Sequence, residues 1–440
     1  MPRISLPLCL FFIFILNTFR SSGQENQAPY RAAEASHYSA ELVDEFYQLN
    51  HGKLFWYGPS INSISLRKSL IRWLDRLIEL GLNRANYHYP ELMHAQDSIF
   101  STIDSLSLKE ADRLFTDAAL TFCRDLYMGR DIPSLINSDE ISFSGFQRDR
   151  QLLLHALLNC TSDSLFNDFV SSLEPGNGDY NQLKKALAEK ISAGDSIHVK
   201  SIAYSLNIFR WMLHFHLPEY VVVNIPSATL GYYKMDSLLF HMKTVVGKPS
   251  TKTPRLATYI DKIIYYPYWN VPRKIVISEY LPIFSKNPSM VDSMNMQIVN
   301  AKGNVVDYHK LNWALYNKQN FPFELRQSTG CDNALGVIKF NLTSPYDVYM
   351  HDTNFKRAFS FERRFYSHGC IRLEKPILLA NQILDGKVDS NYLKSCLRDQ
   401  KPVPVFPDKR IPVFVIYMCA TPDDQGNINY FRDVYELMKK

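Results

Sequence analysis

Cysteine is scarce and unpatterned in this chain. The seven cysteines among 440 residues form no C-x-x-C pair and no regular framework, which excludes a fold built on disulfides. Blocks of like charge are missing as well. The 49 basic and 44 acidic residues leave a net charge of +5, spread without runs, and no DNA- or RNA-reading motif appears, so nucleic acid is not an expected partner. Long hydrophobic runs are also absent: the apolar stretch from Leu6 to Leu16 is too short to span a bilayer. The overall composition fits neither a disordered nor a membrane-embedded chain.

What is present begins with a targeting pattern. Arg3, the apolar stretch after it, and the small residues Ser21 and Gly23 predict a signal peptide over 1–23, cut after Gly23 and implying export. Residues 24–37 read as a flexible leader. Removing the signal peptide takes Cys9 with it and leaves Cys123, Cys160, Cys331, Cys370, Cys396 and Cys419. Cys123 and Cys419 lie in apolar runs and are expected to be buried. An oxidising compartment permits one disulfide among the others, without choosing the pair.

The pattern changes once along the chain. Residues 38–217 carry helical periodicity: Leu66, Leu70, Trp73, Leu74 and Leu77 share a face, and Gly81 stands as a stop. Ser107-Leu108-Lys109-Glu110 predicts a capping box that opens a helix with Leu114, Phe115, Ala118, Ala119, Phe122 and Leu126 on one face. Further helices are expected near 149–159, 180–192 and 197–215. No carboxylate pair or metal-ligand cluster stands out here, so this half reads as a scaffold. From Pro218 the period becomes two: Tyr220 to Ile225, Ala228 to Tyr233 and Leu238 to Val246 read as consecutive strands, followed by Gly336 to Leu342, Tyr346 to His351 and Val413 to Cys419. Residues 273–327 interrupt this pattern and lack a long apolar stripe, which predicts an inserted lid subdomain of limited independent stability. The fold class expected is α+β multidomain, an all-α scaffold followed by a β-rich catalytic domain over 218–440.

The chemistry concentrates in Ser367-His368-Gly369-Cys370. Gly369 allows a tight turn at the cysteine, and His351, ending another strand, can take the thiol proton. Together with Ile371-Arg372, this S-H-G-C-hydrophobic-Arg motif and its upstream histidine resemble the signature of YkuD-type L,D-transpeptidases. The resemblance extends through Glu219 to Gly247, Thr253-Pro254, Tyr266 to Pro272, Leu325-Arg326-Gln327 and Ala334-Leu335-Gly336. Phe122 to Arg130 and Leu173-Glu174-Pro175 are similar to the helical part of the large scaffolded periplasmic members found in Gram-negative bacteria. Those relatives usually carry a peptidoglycan-binding module before the catalytic domain, and the sequence leaves no room for one.

The resemblance implies a two-step acyl exchange. Cys370 attacks a peptidoglycan tetrapeptide stem, releases D-alanine, and passes the acyl group to an amine of a second stem in a 3–3 cross-link. Carbapenems acylate this family. His351 is expected to be the general acid/base, oriented by a backbone carbonyl such as that of Asp352 and sustaining a thiolate plateau below pH ~8. Gly369 and Cys370 are expected to supply oxyanion amides, and His368 to support that loop. Ser367 belongs to the motif. Tyr349 lines the pocket, Arg372 serves as carboxylate clamp or ion-pair partner, and Trp269 is core or platform. No cofactor or metal is expected. The expected partners are stem peptides and, through the helical scaffold, cell-wall synthesis proteins. Water as acceptor would make the same site a carboxypeptidase or endopeptidase. A wall-binding scaffold without activity and a zinc site built from His351, His368 and Cys370 remain the other readings.

Overall fold

The computed structural model describes residues 33–58, 60–98, 105–130 and 150–438. The expected signal peptide and most of the expected leader lie outside them. A helix runs over Ala33–Leu49, so it begins within the 24–37 segment expected to be a flexible leader.

Seven further helices follow: Ile61–Asp75, Tyr89–Ser98, Ser105–Met128, 150–158, Asp163–Ser172, Gly178–Ser192 and Ser196–Leu213. Leu66, Leu70, Leu74 and Leu77 meet Phe115, Ala118, Phe122 and Leu126 in one buried core, as their spacing requires. The expected capping box is displaced, because the helix starts at Ser105 and Ser107 falls within its first turn. Asn177 and Asp195 do cap their helices, accepting the Tyr180 and His198 amides through their side chains. Only the Ala193–Asp195 turn separates those two helices. The last helix packs Phe209, Trp211 and Met212 against Tyr220, Val222, Phe414 and Ile416. Its Arg210 is fully buried, donating to the Leu80 carbonyl at 2.7 Å and the Tyr180 hydroxyl at 3.0 Å, so this one helix joins both halves.

The β-rich half is a closed ring. Its strands are β1 Glu219–Asn224, β2 Thr229–Lys234, β3 Ser237–Gly247, β4 Leu256–Tyr265, β5 Ile338–Leu342, β6 Met350–His351, β7 Ile371–Leu373 and β8 Ile411–Ile416. Pairing runs β1-β2-β3-β7-β6-β5-β4-β8 and returns to β1, with β6–β7 and β8–β1 parallel and the rest antiparallel. Closure leaves no unpaired edge among the eight. Val221, Leu230, Ile263, Phe340, Met350, Ile371 and Val413 point inward as one core, joined by Leu379 and Ala380 of the helix Pro376–Ile383.

The insertion differs from its expectation. Trp269–Asn270, Met296–Val299, Val305–Val306 and Glu324–Gln327 form a separate four-stranded sheet. Val276, Phe284, Ile298, Trp313, Phe321 and Leu325 build a core of its own beneath it. Its apolar residues are split among short strands and turns, so no single periodic stripe announced them. A disulfide joins Cys331 to Cys396, while Cys123, Cys160 and Cys419 are buried thiols. No helix among the described residues is long and apolar enough to cross a membrane.

Candidate active site

The parallel pairing of β6 and β7 sets the site. Met350 lies opposite Ile371 and His351 opposite Arg372. Met350 and Ile371 are fully buried in the ring core, and side chains alternate along a strand. Tyr349, His351, Cys370 and Arg372 are therefore displayed together on the outer face. That face forms one wall of a cavity of about 680 Å³, whose other wall comes from Trp269, Ile275, Glu279 and Tyr280 of the insertion. The strand around His351 is shorter than its sequence suggested, since only Met350 and His351 pair. Ile275 ends a helical turn that continues as a π-turn over Val276–Tyr280, a distortion that turns Glu279 and Tyr280 toward the cavity.

His351 is buried and donates its Nδ1–H to the carbonyl of Asp352. This bond fixes the tautomer and leaves Nε2 as the proton acceptor. Burial, reinforced by the Arg372 charge, lowers the His351 pKa to about 3. The ring is thus neutral at ordinary pH. Cys370 is half-buried, and its thiol lies 3.7 Å from the Asp347 carbonyl. Burial pushes this thiol above its ordinary value, while hydrogen bonds from the Tyr349 amide and hydroxyl and the charges of Lys339 and Arg372 pull it back. Both shifts favour the uncharged thiol and the uncharged imidazole. They run against the expected thiolate plateau below pH ~8, and the pH profile of Cys370 alkylation tests it.

The other motif residues divide between the pocket and its frame. Ser367 is buried, donates to the Cys370 carbonyl at 2.6 Å and accepts the Gly369 N–H at 3.1 Å. Gly369 adopts φ +119°, a conformation that favours glycine. Its amide is spent on Ser367, which corrects its expected place among the oxyanion donors. His368 is exposed at the cavity and reaches across to Glu279 of the insertion, with Nε2 2.9 Å from Oε1. The Asp352 carboxylate accepts the Val337 amide at 3.1 Å and the Lys356 ammonium, so this side chain braces the strand end and leaves the cavity to its neighbours. Arg372 lines the cavity without a carboxylate partner among the described residues, which removes the expected ion-pair role. Trp269 also lines it, edge-on to Tyr280 with ring centres 6.0 Å apart. Among the described residues no group of three His, Cys, Asp or Glu side chains is placed to hold a metal.

Lys339 was not among the sequence candidates. It faces His351 across the β5–β6 ladder, and its Nζ lies 4.0 Å from the centre of the Tyr349 ring. The alternation of buried Ile338 and Phe340 around it carried the signal, for it puts Lys339 on the same outer face.

With this geometry in place, comparison with known proteins is direct. Residues 218–405 match the L,D-transpeptidase catalytic domain family, YkuD, and residues 41–187 match the Scaffold domain family. A Haemophilus influenzae protein described as "Putative L,D-transpeptidase" is 28% identical over 391 residues, covering 86% of this chain and 75% of that protein. Among solved structures, an Enterococcus faecium L,D-transpeptidase is 13% identical with a TM-score of 0.21 over 46% of this chain, which spans only 50% of that enzyme. A Mycobacterium smegmatis L,D-transpeptidase is 14% identical with a TM-score of 0.21, over 45% and 58% of the two chains. The protein is therefore an enzyme of the transpeptidase class, with a helical region ahead of a β-rich catalytic domain. More particularly, it carries a YkuD L,D-transpeptidase catalytic domain with a Scaffold domain before it.

Proposed function

We propose that the protein is a periplasmic peptidoglycan L,D-transpeptidase with Cys370 as nucleophile and His351 as general acid/base, forming 3–3 cross-links. The observation that carries this reading is the common outer face of Tyr349, His351, Cys370 and Arg372 beneath the insertion. The Cys370 sulfur attacks the carbonyl of the third residue of a tetrapeptide stem, and its proton passes to His351 Nε2. Collapse of the tetrahedral intermediate breaks the amide bond. His351 returns the proton to the departing D-alanine amine and a thioester remains. An amine of a second stem then attacks that thioester, loses a proton to His351, and regenerates the thiol.

With the Gly369 amide occupied, the Cys370 N–H is the donor for the developing oxyanion, joined by the Tyr349 hydroxyl as it shifts from the attacking Cys370 sulfur to the oxygen. Burial, and next the neighbouring Cys370, hold the Tyr349 hydroxyl far above its usual pKa, so it stays protonated and able to donate. Loss of one such donor typically costs about 3 kcal/mol. Arg372 and Lys248 offer positive charge to stem carboxylates at the cavity wall. In this reading residues 38–217 are the scaffold, presenting a surface to cell-wall synthesis proteins, and residues 273–327 cover the site.

The test is incubation of the purified protein with disaccharide-tetrapeptides and identification of the products by mass. Cross-linked dimers that vanish in Cys370→Ala are expected. Shortened monomers without dimers would instead assign water as the acceptor.

A further inference from the structure

A second groove, of about 490 Å³, lies beside the catalytic cavity and is lined by Lys252, Arg363, Phe365, Tyr366, Arg432 and Tyr435. Two short segments separate the two spaces. In the turn after β3, Lys248, Ser250 and Thr251 line the cavity, whereas Pro249 and Lys252 line the groove. In the motif segment, Ser367 and His368 line the cavity, whereas Phe365 and Tyr366 line the groove. The segments are tied together by the Lys248 amide and the Thr251 hydroxyl, both donating to the Ser367 carbonyl at 3.1 Å. Groove and cavity are thus opposite slopes of one ridge.

The charges in the groove are unequal in availability. Arg363 and Arg432 are exposed, and their guanidinium groups meet no partner among the described residues. Lys252 donates to the Tyr435 carbonyl at 3.1 Å and lies 5.7 Å from that ring's centre, contacts that leave its charge uncompensated. Asp433 is turned inward, accepting the Tyr417 hydroxyl at 2.7 Å and the Leu437 and Met438 amides at 2.9 and 2.8 Å. Glu436 is the one exposed carboxylate among the groove's described lining residues, set against three cations. Across the ridge, Lys248 and Arg372 continue the positive track without carboxylate partners among the described residues.

We infer that this groove binds a carboxylate-bearing segment of the peptidoglycan strand adjoining the stem held in the catalytic cavity. The inference rests on the function proposed above and adds a docking site to it. Free carboxylates recur along such a strand, on stem after stem. Two guanidinium forks and an ammonium suit carboxylates, and the aromatic walls suit the intervening sugar and peptide faces. The site would supply, within the catalytic half itself, the strand binding that a separate module supplies elsewhere.

The test uses the full chain carrying Arg363→Glu and Arg432→Glu together, beside the milder Arg363→Ala and Arg432→Ala pair. Substrates are a monomeric disaccharide-tetrapeptide and soluble multi-stem strands, with carbapenem acylation reporting the catalytic cavity. The charge reversal should raise KM for strands about tenfold while leaving kcat, the monomer KM and carbapenem acylation unchanged, and the alanine pair should give a smaller shift of the same sign. It should also release the protein from insoluble peptidoglycan in co-sedimentation. Equal KM shifts for monomer and strands, or none for either, overturn the inference. So does loss of binding to phosphatidylglycerol vesicles with peptidoglycan binding intact, which would assign the groove to a lipid surface. A wild-type protein that is never acylated but still sediments through Arg363 and Arg432 sinks the catalytic reading and keeps the groove.

Discussion

His368 Nε2 stands 2.9 Å from Glu279 Oε1, and this contact separates the two histidines that flank Cys370. One is committed to the insertion; the other, His351, is buried at the strand end with its Nδ1–H held by the Asp352 carbonyl. Replacing each should give unequal results. His351→Ala is expected to slow carbapenem acylation by about 10²–10⁴-fold, the usual worth of a positioned acid/base. His368→Ser breaks an exposed contact worth less than about 1 kcal/mol and should keep the rate within a few-fold. Mass spectrometry of adduct growth reads both, and the reverse ranking would exchange the roles.

Lys339 supplies a second expectation. It is the positive charge set against Tyr349 and facing Cys370, where burial has already raised the thiol. Alkylation of Cys370 by iodoacetamide should therefore climb with pH without a plateau between about pH 6 and 8. Lys339→Met should move that climb to higher pH, and Lys339→Arg should restore it. A plateau near neutrality in the wild type would show a standing ion pair and contradict the buried, neutral arrangement.

Much of this was legible before the structure. The strands β1 to β3 were legible as short runs rich in valine, tyrosine and leucine after Pro218, and the motif located Cys370 and His351. The longest later strand of the ring, β4, went unread although Leu256–Tyr265 is bounded by Pro254 and Pro267, because its central residues mix Asp261 and Lys262 with isoleucines. Ring closure could not be read, since β8 pairs with β1 across nearly the full domain and local pattern carries no long-range partner. The same limit hid the Cys331–Cys396 bridge, the Glu279–His368 contact and the loss of the Gly369 amide to Ser367. Each is fixed by tertiary placement, whereas the chemistry-bearing residues are fixed by type and spacing.

Acid should destabilise the protein through two buried histidines. Burial lowers His351 to about 3 and His214 to about 4, from an ordinary 6.5. Between those values the unfolded chain binds protons that the folded chain refuses, so stability rises with pH across this window and falls as pH drops from 6.5 toward 3. Each group contributes on the order of a few kcal/mol. His214 packs on Phe215 with ring centres 3.9 Å apart, away from the catalytic cavity. Urea unfolding of His214→Leu should show a shallower dependence between pH 6.5 and 4 than the wild type. An unchanged slope would remove His214 from the account.

The support beneath His351 can be tested through a glycine. Gly336 has φ +58°, and a Cβ added to it would lie 2.2 Å from Asp352 Oδ2. That carboxylate holds the Val337 amide and Lys356, and the carbonyl of the same residue holds His351. Gly336→Ala therefore adds a left-handed alanine and also drives Asp352 from its place. Gly303, at φ +82° and with open space for 4 Å around the point where a Cβ would stand, isolates the first effect. Gly303→Ala should cost about 1–2 kcal/mol from backbone strain, with acylation unaffected. Gly336→Ala should cost more than that and also slow acylation, because moving Asp352 releases the ring that its carbonyl orients. Equal losses of stability for the two variants, with acylation intact in both, would mean that the Asp352 brace has no part in holding His351.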